Sequence, residues 1–463
     1  MEILILVVFV LGYAAIAAEH PLRVDKAATA LITGVLCWTI LVLGADAVPA
    51  HMGTYFHELN EFLSASGEQP LALAEFFDHR LLHHLEEIAG ILLFLMGAMT
   101  IVEIVDAHEG FRVITDRITT RNKVKLLWVL SILTFFLSAA LDNLTTAIVM
   151  VSLIRKLIAD QKTRWFFGGM IIIAANSGGA WSPIGDVTTT MLWIGKQITT
   201  ESIIKEVFLA SAMNLLVPLA VLSFMLKGQV ERPVLHADDA MKIPAFERSV
   251  AFLMGVGGLL FVPIFKTVTH LPPFMGIMFS LGVLWVVTEI MHGKKMQEDK
   301  SHLSALHALR KIDMPSVLFF LGILLAVSAL QEVGHLGVMA QFLRDKLNNI
   351  YAINLAIGLL SAIVDNVPLV AASMNMYAIS PALSGDPWLD MFVQDGPFWH
   401  FLAYAAGTGG SILIIGSAAG VAVMGLEKID FMWYLKKVSI WALLGYFGGA
   451  LVYILEMVIL HKV

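Results

Sequence analysis

The chain has 463 residues, 58% of them hydrophobic and only 14% charged, with a formal net charge of −7. That composition, with a mean hydropathy of +0.80, excludes a soluble globular domain, whose surface carries far more charge. The single cysteine, Cys37, excludes a disulfide framework and a thiolate metal cluster. No phosphate-binding glycine loop or nucleic-acid footprint is present, so neither a pump with its own ATPase domain nor a nucleic-acid partner is expected.

Apolar segments follow one another at about 1–18, 27–45, 87–105, 125–158, 165–195, 203–226, 249–265, 273–290, 315–331, 350–378, 398–425 and 433–460. About 20 helical residues cross a hydrocarbon core of about 30 Å, and lipid admits only helices or a closed barrel. Unbroken Leu, Ile, Val and Phe runs without period-two alternation select helices. In the first segment Glu2 stands where a cleavable signal needs positive charge, so the segment is expected to be a span.

Segment 125–158 would make a helix of about 50 Å, too long for one span. Basic residues flank it on both sides, and Asp142, Asn143, Thr145 and Thr146 interrupt its middle. The economical reading is a re-entrant hairpin with Asp142 and Asn143 at its tip. Segment 350–378 repeats the arrangement around Asp365, Asn366 and Pro368. Counting hairpins as zero crossings gives ten full spans. The connections 19–26, 106–125, 155–164, 227–248, 291–313 and 426–437 then fall on one side and hold 23 of the 30 Lys and Arg residues. That side is expected to be cytoplasmic, which puts both termini, the long segment 46–86 and the acidic stretch 379–397 outside.

The chain carries an internal repeat. Ser138 to Thr145 (SAALDNLT) aligns with Ser361 to Pro368 (SAIVDNVP), and Ala174 to Ala180 (AANSGGA) with Ala405 to Ser411 (AAGTGGS). Upstream, Leu92 to Gly97 (LLFLMG) matches Val317 to Gly322 (VLFFLG). Five crossings separate the equivalent starts, so the second copy is expected to be upside down, the inverted-repeat plan of secondary transporters.

Each half therefore offers a hairpin tip and a broken helix. In the first half the break runs through Asn176, Ser177, Gly178 and Gly179 to Pro183, Asp186 and Thr188; in the second, through Gly407, Thr408, Gly409 and Gly410 to Ser417. Glycine pairs and proline unwind helices and free backbone carbonyls. With hydroxyl, amide and carboxylate oxygens these make a hard-oxygen set suited to a hard cation. Asp142, Asp186 and Asp365 are the acids expected at membrane depth, where an ionisable residue is a functional candidate by default; the alternative is that each only caps a hairpin or a helix end. A carboxylate that holds either a proton or a cation suffices for exchange. Asn176 faces Gly407 in the alignment, and Asp186 faces Ser417, so the cation is expected off-centre, nearer the first broken helix.

Outside the site, Glu103, Glu289, Glu332 and Glu456 sit near span ends. Segment 46–86 carries His51, His57, His79, His83 and His84. His79 and His83 have the i, i+4 spacing of a helical metal pair, although a solvated amphipathic helix lying on the membrane explains them as well.

Asp142-Asn143 with Thr145, the run Asn176 to Thr188 (NSGGAWSPIGDVT), and Gly407 to Ser411 (GTGGS) resemble the NhaD family of sodium/proton antiporters, within the superfamily that includes arsenite and dicarboxylate carriers. The resemblance extends from about residue 85 to the end. It implies an all-α polytopic membrane protein with a scaffold domain and a transport domain, homodimeric and moving as an elevator. The implied activity is export of Na+ or Li+ driven by inward H+ flow across a bacterial inner membrane, without cofactor and without enzymatic chemistry. It carries Asp142, Asn143, Thr145, Asn176, Asp186, Thr188, Asp365, Asn366, Thr408 and Ser417 over as ion- or proton-binding positions, and implies Na+ at Asp142, Asn176, Asp186 and Asp365. The expected division is 1–86 for the N-terminal scaffold helices and His-rich segment, 87–228 for the first repeat, 229–313 for linking helices and 314–463 for the second repeat. The rival readings are an anion carrier of the same superfamily, an intramembrane hydrolase and a passive channel. Aspartates at both tips speak against the first, and their recurrence with the repeat against the second; broken-helix hairpins suit alternating access better than a channel.

Overall fold

The computed structural model describes residues 2–17, 24–44, 60, 64, 73–233, 243–292, 303–363, 365–381 and 385–460. His51 and His57 of the His-rich segment lie outside the described residues. Helices account for nearly all the regular structure there, and pairing between extended segments is confined to two isolated bridges.

In chain order the main helices are α1 (Glu2–Ala17), α2 (Lys26–Leu43), α3 (Leu73–Ala107), α4 (Lys123–Leu141), α5 (Asn143–Leu157), α6 (Gln161–Ala180), α7 (Val187–Ile194), α8 (Thr200–Met225) and α9 (Ala245–Thr269). They continue as α10 (Pro273–Met291), α11 (Met314–Glu332), α12 (His335–Leu347), α13 (Ile350–Ser361), α14 (Asn366–Met376), α15 (Pro397–Gly409), α16 (Ala418–Glu427), α17 (Phe431–Lys437) and α18 (Ser439–Leu460). Eight described helices are long and apolar enough to cross a membrane, α4 among them. The chain is a polytopic helical membrane protein.

Helix boundaries follow local chemistry. Asn122, Asp160, Asp313 and Asp430 each accept a backbone N–H from the first turn that follows, supplying the partner that a helix start lacks. Pro397 opens α15 at a position where its missing N–H costs nothing. One boundary departs from the sequence reading. Helix α3 is continuous from Leu73, so the expected start at 87 falls inside it. Apolarity ends near 87, whereas the Glu, His, Leu and Arg residues before it sustain a helix without being apolar.

The chain divides into two compact units. The first comprises residues 1–93, 313–349 and 371–378. In it α2 packs on α1 and α11. The α2–α11 crossing is close because Gly34 faces the backbone of Gly322 and Gly322 that of Ala30 and Leu31: a Cβ on Gly34 would lie 2.5 Å from the Gly322 carbonyl oxygen. Trp38 seals the same contact by donating Nε1–H to Leu325 O at 2.9 Å. Near the end of α11 the Glu332 carboxylate, 4% exposed, accepts from Arg80 Nη2 at 2.6 Å and lies 2.8 Å from His84 Nε2. Glu332 is thus a paired interior group. Among the histidines, buried His84 has this partner, while His79 and His83 sit exposed on the N-terminal half of the long α3. Among the described residues no cluster of three or more His, Cys, Asp or Glu side chains could hold a metal.

The second unit comprises residues 94–312, 350–370 and 379–463. Its centre is α6, buried along most of its length and packed on α4, α5, α8, α15 and α16. Helix α13 packs on α15 as α4 packs on α6, and α8 lies along α18.

Candidate functional site

The site is assembled where four helix interruptions of the second unit meet. The first is Asp142, which separates α4 from α5 with φ of 78° and ψ of 160°. A non-glycine residue rarely adopts positive φ, and such backbone strain clusters at functional positions. Asp142 Oδ1 accepts the Thr145 N–H at 2.8 Å and Oδ2 accepts the Thr145 hydroxyl at 2.8 Å. Half-buried Asp142 therefore caps α5, and Thr145 serves that cap. The turn before α14 is the second interruption, where Asp365 Oδ1 accepts the Val367 N–H at 3.3 Å.

The third interruption separates α6 from α7. Ser182 anchors it by donating its hydroxyl to Ala139 O at 2.5 Å, and Thr190 Oγ1 donates to Pro183 O at 2.9 Å. Asp186 then caps α7: its Oδ1 accepts the Thr188 N–H and the Thr188 hydroxyl, each at 3.0 Å. The fourth lies between α15 and α16, where Ser417 caps α16 by accepting the Gly420 N–H at 3.1 Å.

What joins the four is amide chemistry. Asn143 Nδ2 donates to Asp186 Oδ2 at 2.8 Å and to Asn176 Oδ1 at 3.1 Å. Asn366 Nδ2 donates to the same Asp186 Oδ2 at 3.3 Å. Asn176 Nδ2 in turn donates to the hydroxyls of Ser411 and Ser417, both at 2.9 Å. Asp186, Asn143, Asn176 and Asn366 are all buried, Asp186 at 2% exposure. One carboxylate oxygen therefore takes a hydrogen bond from the asparagine that follows each tip aspartate, while the other is spent on its own helix. Asp142 and Asp365 lie within electrostatic reach of Asp186. None of the groups hydrogen-bonded to Asp186 is cationic.

At Gly407, the alignment counterpart of Asn176, a Cβ would stand 3.4 Å from Ala180 Cβ and 3.7 Å from Asp186 Oδ2, ordinary contact distances beside the Asp186 carboxylate. Gly178 and Gly409 perform matching tasks, since a Cβ on either would collide with a carbonyl, that of Phe135 or of Gly358. Gly179 and Gly410 likewise face the Gly185 and Gly416 carbonyls across their breaks.

The structure does not bring every sequence candidate to Asp186. Ser177 Oγ donates to Ile173 O within its own helix and accepts from Asn214 Nδ2 at 2.6 Å. Thr408 Oγ1 donates to Tyr404 O one turn back. Two participants escaped sequence reasoning. Ser411 binds Asn176, and its signal was present, since it directly follows the Gly409-Gly410 pair. Asn214, in the middle of apolar α8, could have been found as a lone buried carboxamide.

Comparison with known proteins locates the chain. A family model described as "Citrate transporter" (CitMHS) matches residues 13–393. Among curated relatives, "Sodium/proton antiporter 1" of Arabidopsis thaliana is 45% identical over 98% of this chain and 72% of its own length. "Sodium/proton antiporter 2" of the same plant is 44% identical, over 96% of this chain and 97% of its own length. "Na(+)/H(+) antiporter NhaD" of Alkalimonas amylolytica is 28% identical over 96% of this chain and 89% of its own length.

Proposed function

This chain belongs to the citrate-transporter family and, within it, to the NhaD-type antiporters, and from that premise we propose that it exchanges Na+ or Li+ for H+ across a membrane. The observation that carries the reading is the convergence of Asn143 and Asn366, each next to a tip aspartate, on one oxygen of Asp186. Hard cations are bound by oxygen. To admit Na+, the two carboxamides turn so that Oδ1 replaces Nδ2 toward the centre. Asp186 Oδ2 and Asn176 Oδ1 complete the shell, the charges of Asp142 and Asp365 add attraction from nearby, and Thr145, Thr188 and Ser417 are the supporting hydroxyls. A proton on the same carboxylates removes the charge that holds the cation, so the two compete, and competition at one site is sufficient for exchange.

The two hairpin-and-break modules form inverted repeats of a transport domain, moving by an elevator step against a scaffold in a homodimer. The membrane is a bacterial inner membrane, with both termini outward. The family description favours a second reading, uptake of an anionic carboxylate. A site whose formal charges are three carboxylates speaks against it.

The test uses everted vesicles holding a respiration-driven pH gradient, with wild type beside Asp142→Asn. NaCl, LiCl and KCl are added in turn while internal pH is followed by a fluorescent dye. Collapse of the gradient by Na+ or Li+ in wild type alone supports exchange through this site. No response at any alkaline or neutral pH would sink the antiporter reading and turn attention to labelled citrate uptake.

A further inference from the structure

A second polar assembly lies away from the ion site, where α5 ends, α6 begins and α16 ends. Glu427, 2% exposed, closes α16, and its two oxygens accept from Arg155 Nε at 2.7 Å and Arg164 Nε at 2.9 Å. Arg164 Nη1 is held by the carbonyls of Ile158 and Ala159, and Arg155 Nη2 by that of Leu426. These bonds fix both guanidinium planes, which makes a pre-organised fork of the kind that suits phosphate. Two guanidiniums against one carboxylate leave a surplus positive charge, and Lys428 adds another.

Both arginines line a cavity of about 520 Å³, with Ala159, Gln161, Pro233, Leu426, Lys428 and the arginine-paired Glu427 completing its wall. That is many times the roughly 30 Å³ share of one water, room for a phosphate with the glycerol attached to it. Its surroundings mark a membrane boundary. Trp165 and Trp433 meet edge to face at 5.1 Å, Phe166 packs on Trp433, and Trp165 Nε1 donates to Glu427 O at 3.0 Å. Amphipathic tryptophans collect at headgroup level. Helix α17 beside them exposes Met432 and Leu435 next to Lys436 and Lys437, the mixed face of an element resting on an anionic leaflet.

We propose that this cavity binds a phosphate group presented by an anionic phospholipid, tying the outgoing arm of the first hairpin to the start of the first broken helix and the end of the second. Nothing in this inference depends on the identity of the transported ion.

The experiment is native mass spectrometry of the purified full-length protein equilibrated with equal amounts of phosphatidylglycerol and phosphatidylcholine, repeated with millimolar inorganic phosphate. Wild type stands beside Lys428→Glu and Gln161→Glu. Both side chains are exposed, and a Glu at the first position of α6 suits a helix start, so folding is preserved, which matching gel-filtration and melting profiles verify. The expected result is preferential retention of phosphatidylglycerol, lowered on the order of tenfold by each charge change and untouched by free phosphate. Displacement of the lipid by inorganic phosphate would make the ligand a free anion and overturn the lipid assignment. Equal retention of both lipids, or variants that hold phosphatidylglycerol as wild type does, would overturn the site.

Discussion

The two modules built from α4–α7 and from α13–α16 share a frame and differ in charge. Ser138 Oγ donates to Ala175 O at 2.6 Å in the first, and Ser361 Oγ to Ala406 O at 2.8 Å in the second. The residues that end the breaks have nearly the same backbone, φ −147° at Asp186 and −145° at Ser417. Gly178 and Gly409 allow equivalent helix–carbonyl approaches. Yet the break that carries a carboxylate and a carboxamide in the first module carries a hydroxyl and a bare glycine in the second. A frame set by small residues can be used twice, while the groups proposed to bind the ion are placed in one copy and served by the other. Asn366 reaching across to Asp186 is that service.

The sharpest way to break the comparison is to remove the charge from one side and the hydroxyl from the other. Asp186→Asn deletes the buried charge on which both asparagines converge, and cation-dependent proton movement in vesicles is expected to fall by on the order of 100-fold. Ser417→Ala loses one neutral hydrogen bond and a helix cap, about 1 kcal/mol each, so exchange should stay within roughly tenfold to thirtyfold of wild type. Equal losses in the two variants would mean that the functional asymmetry is wrong.

Glycine exchange tests the shared frame. A methyl group at Gly178 or Gly409 meets a carbonyl that helix packing holds in place, so Gly178→Ala and Gly409→Ala should each lower stability by about 1–3 kcal/mol. Thermal melting in detergent reads this directly. A large shift for only one of the pair would show that the modules do not share their close approach. The serine contacts come next in size. Ser138→Ala and Ser361→Ala each remove one hydrogen bond to a buried carbonyl, worth about 1 kcal/mol, and should lower the melting temperature by similar amounts.

Much of this frame was legible in the sequence because it is written in local chemistry. Pro183 and the Asp-Asn steps fall where helices break or turn, whereas Asn176 to Gly179 and Gly407 to Gly409, expected inside the breaks, stay helical to the ends of α6 and α15, and the chain leaves the helix just beyond them. The division of labour within the site was less legible. Sequence favoured the tip aspartates, since a charge in lipid commands attention, but their carboxylates accept from the first turns of α5 and α14, and the neighbouring asparagines make the long-range bonds. Which of two adjacent polar side chains points along its own helix and which points across is decided by tertiary packing. The same holds for His84, hidden among five histidines until Glu332, far along the chain, supplies its partner.

The smallest predicted effect concerns a joint outside the spans, where the end of the first module meets the approach to the second. Asp395 Oδ1 accepts the Thr199 N–H at 2.6 Å and its Oδ2 accepts the Thr199 hydroxyl at 2.9 Å, with His400 Nε2 3.8 Å away. Partial burial pushes the Asp395 carboxyl up, but the nearby His400 imidazole and the two hydrogen bonds from Thr199 outweigh it, holding the group below the usual carboxylate range. A depressed folded-state value means that ionised Asp395 favours the folded form. That contribution is complete above the ordinary Asp value of about 4 and is lost as pH falls through the lower folded value. Asp395→Asn should therefore cost about 1 kcal/mol at neutral pH, and the gap from wild type should narrow as the medium is acidified below pH of about 4. Melting curves of the two proteins across that range provide the check. A gap that stays constant with pH would assign the contact to hydrogen bonding alone, and a gap that widens on acidification would reverse the sign of the argument.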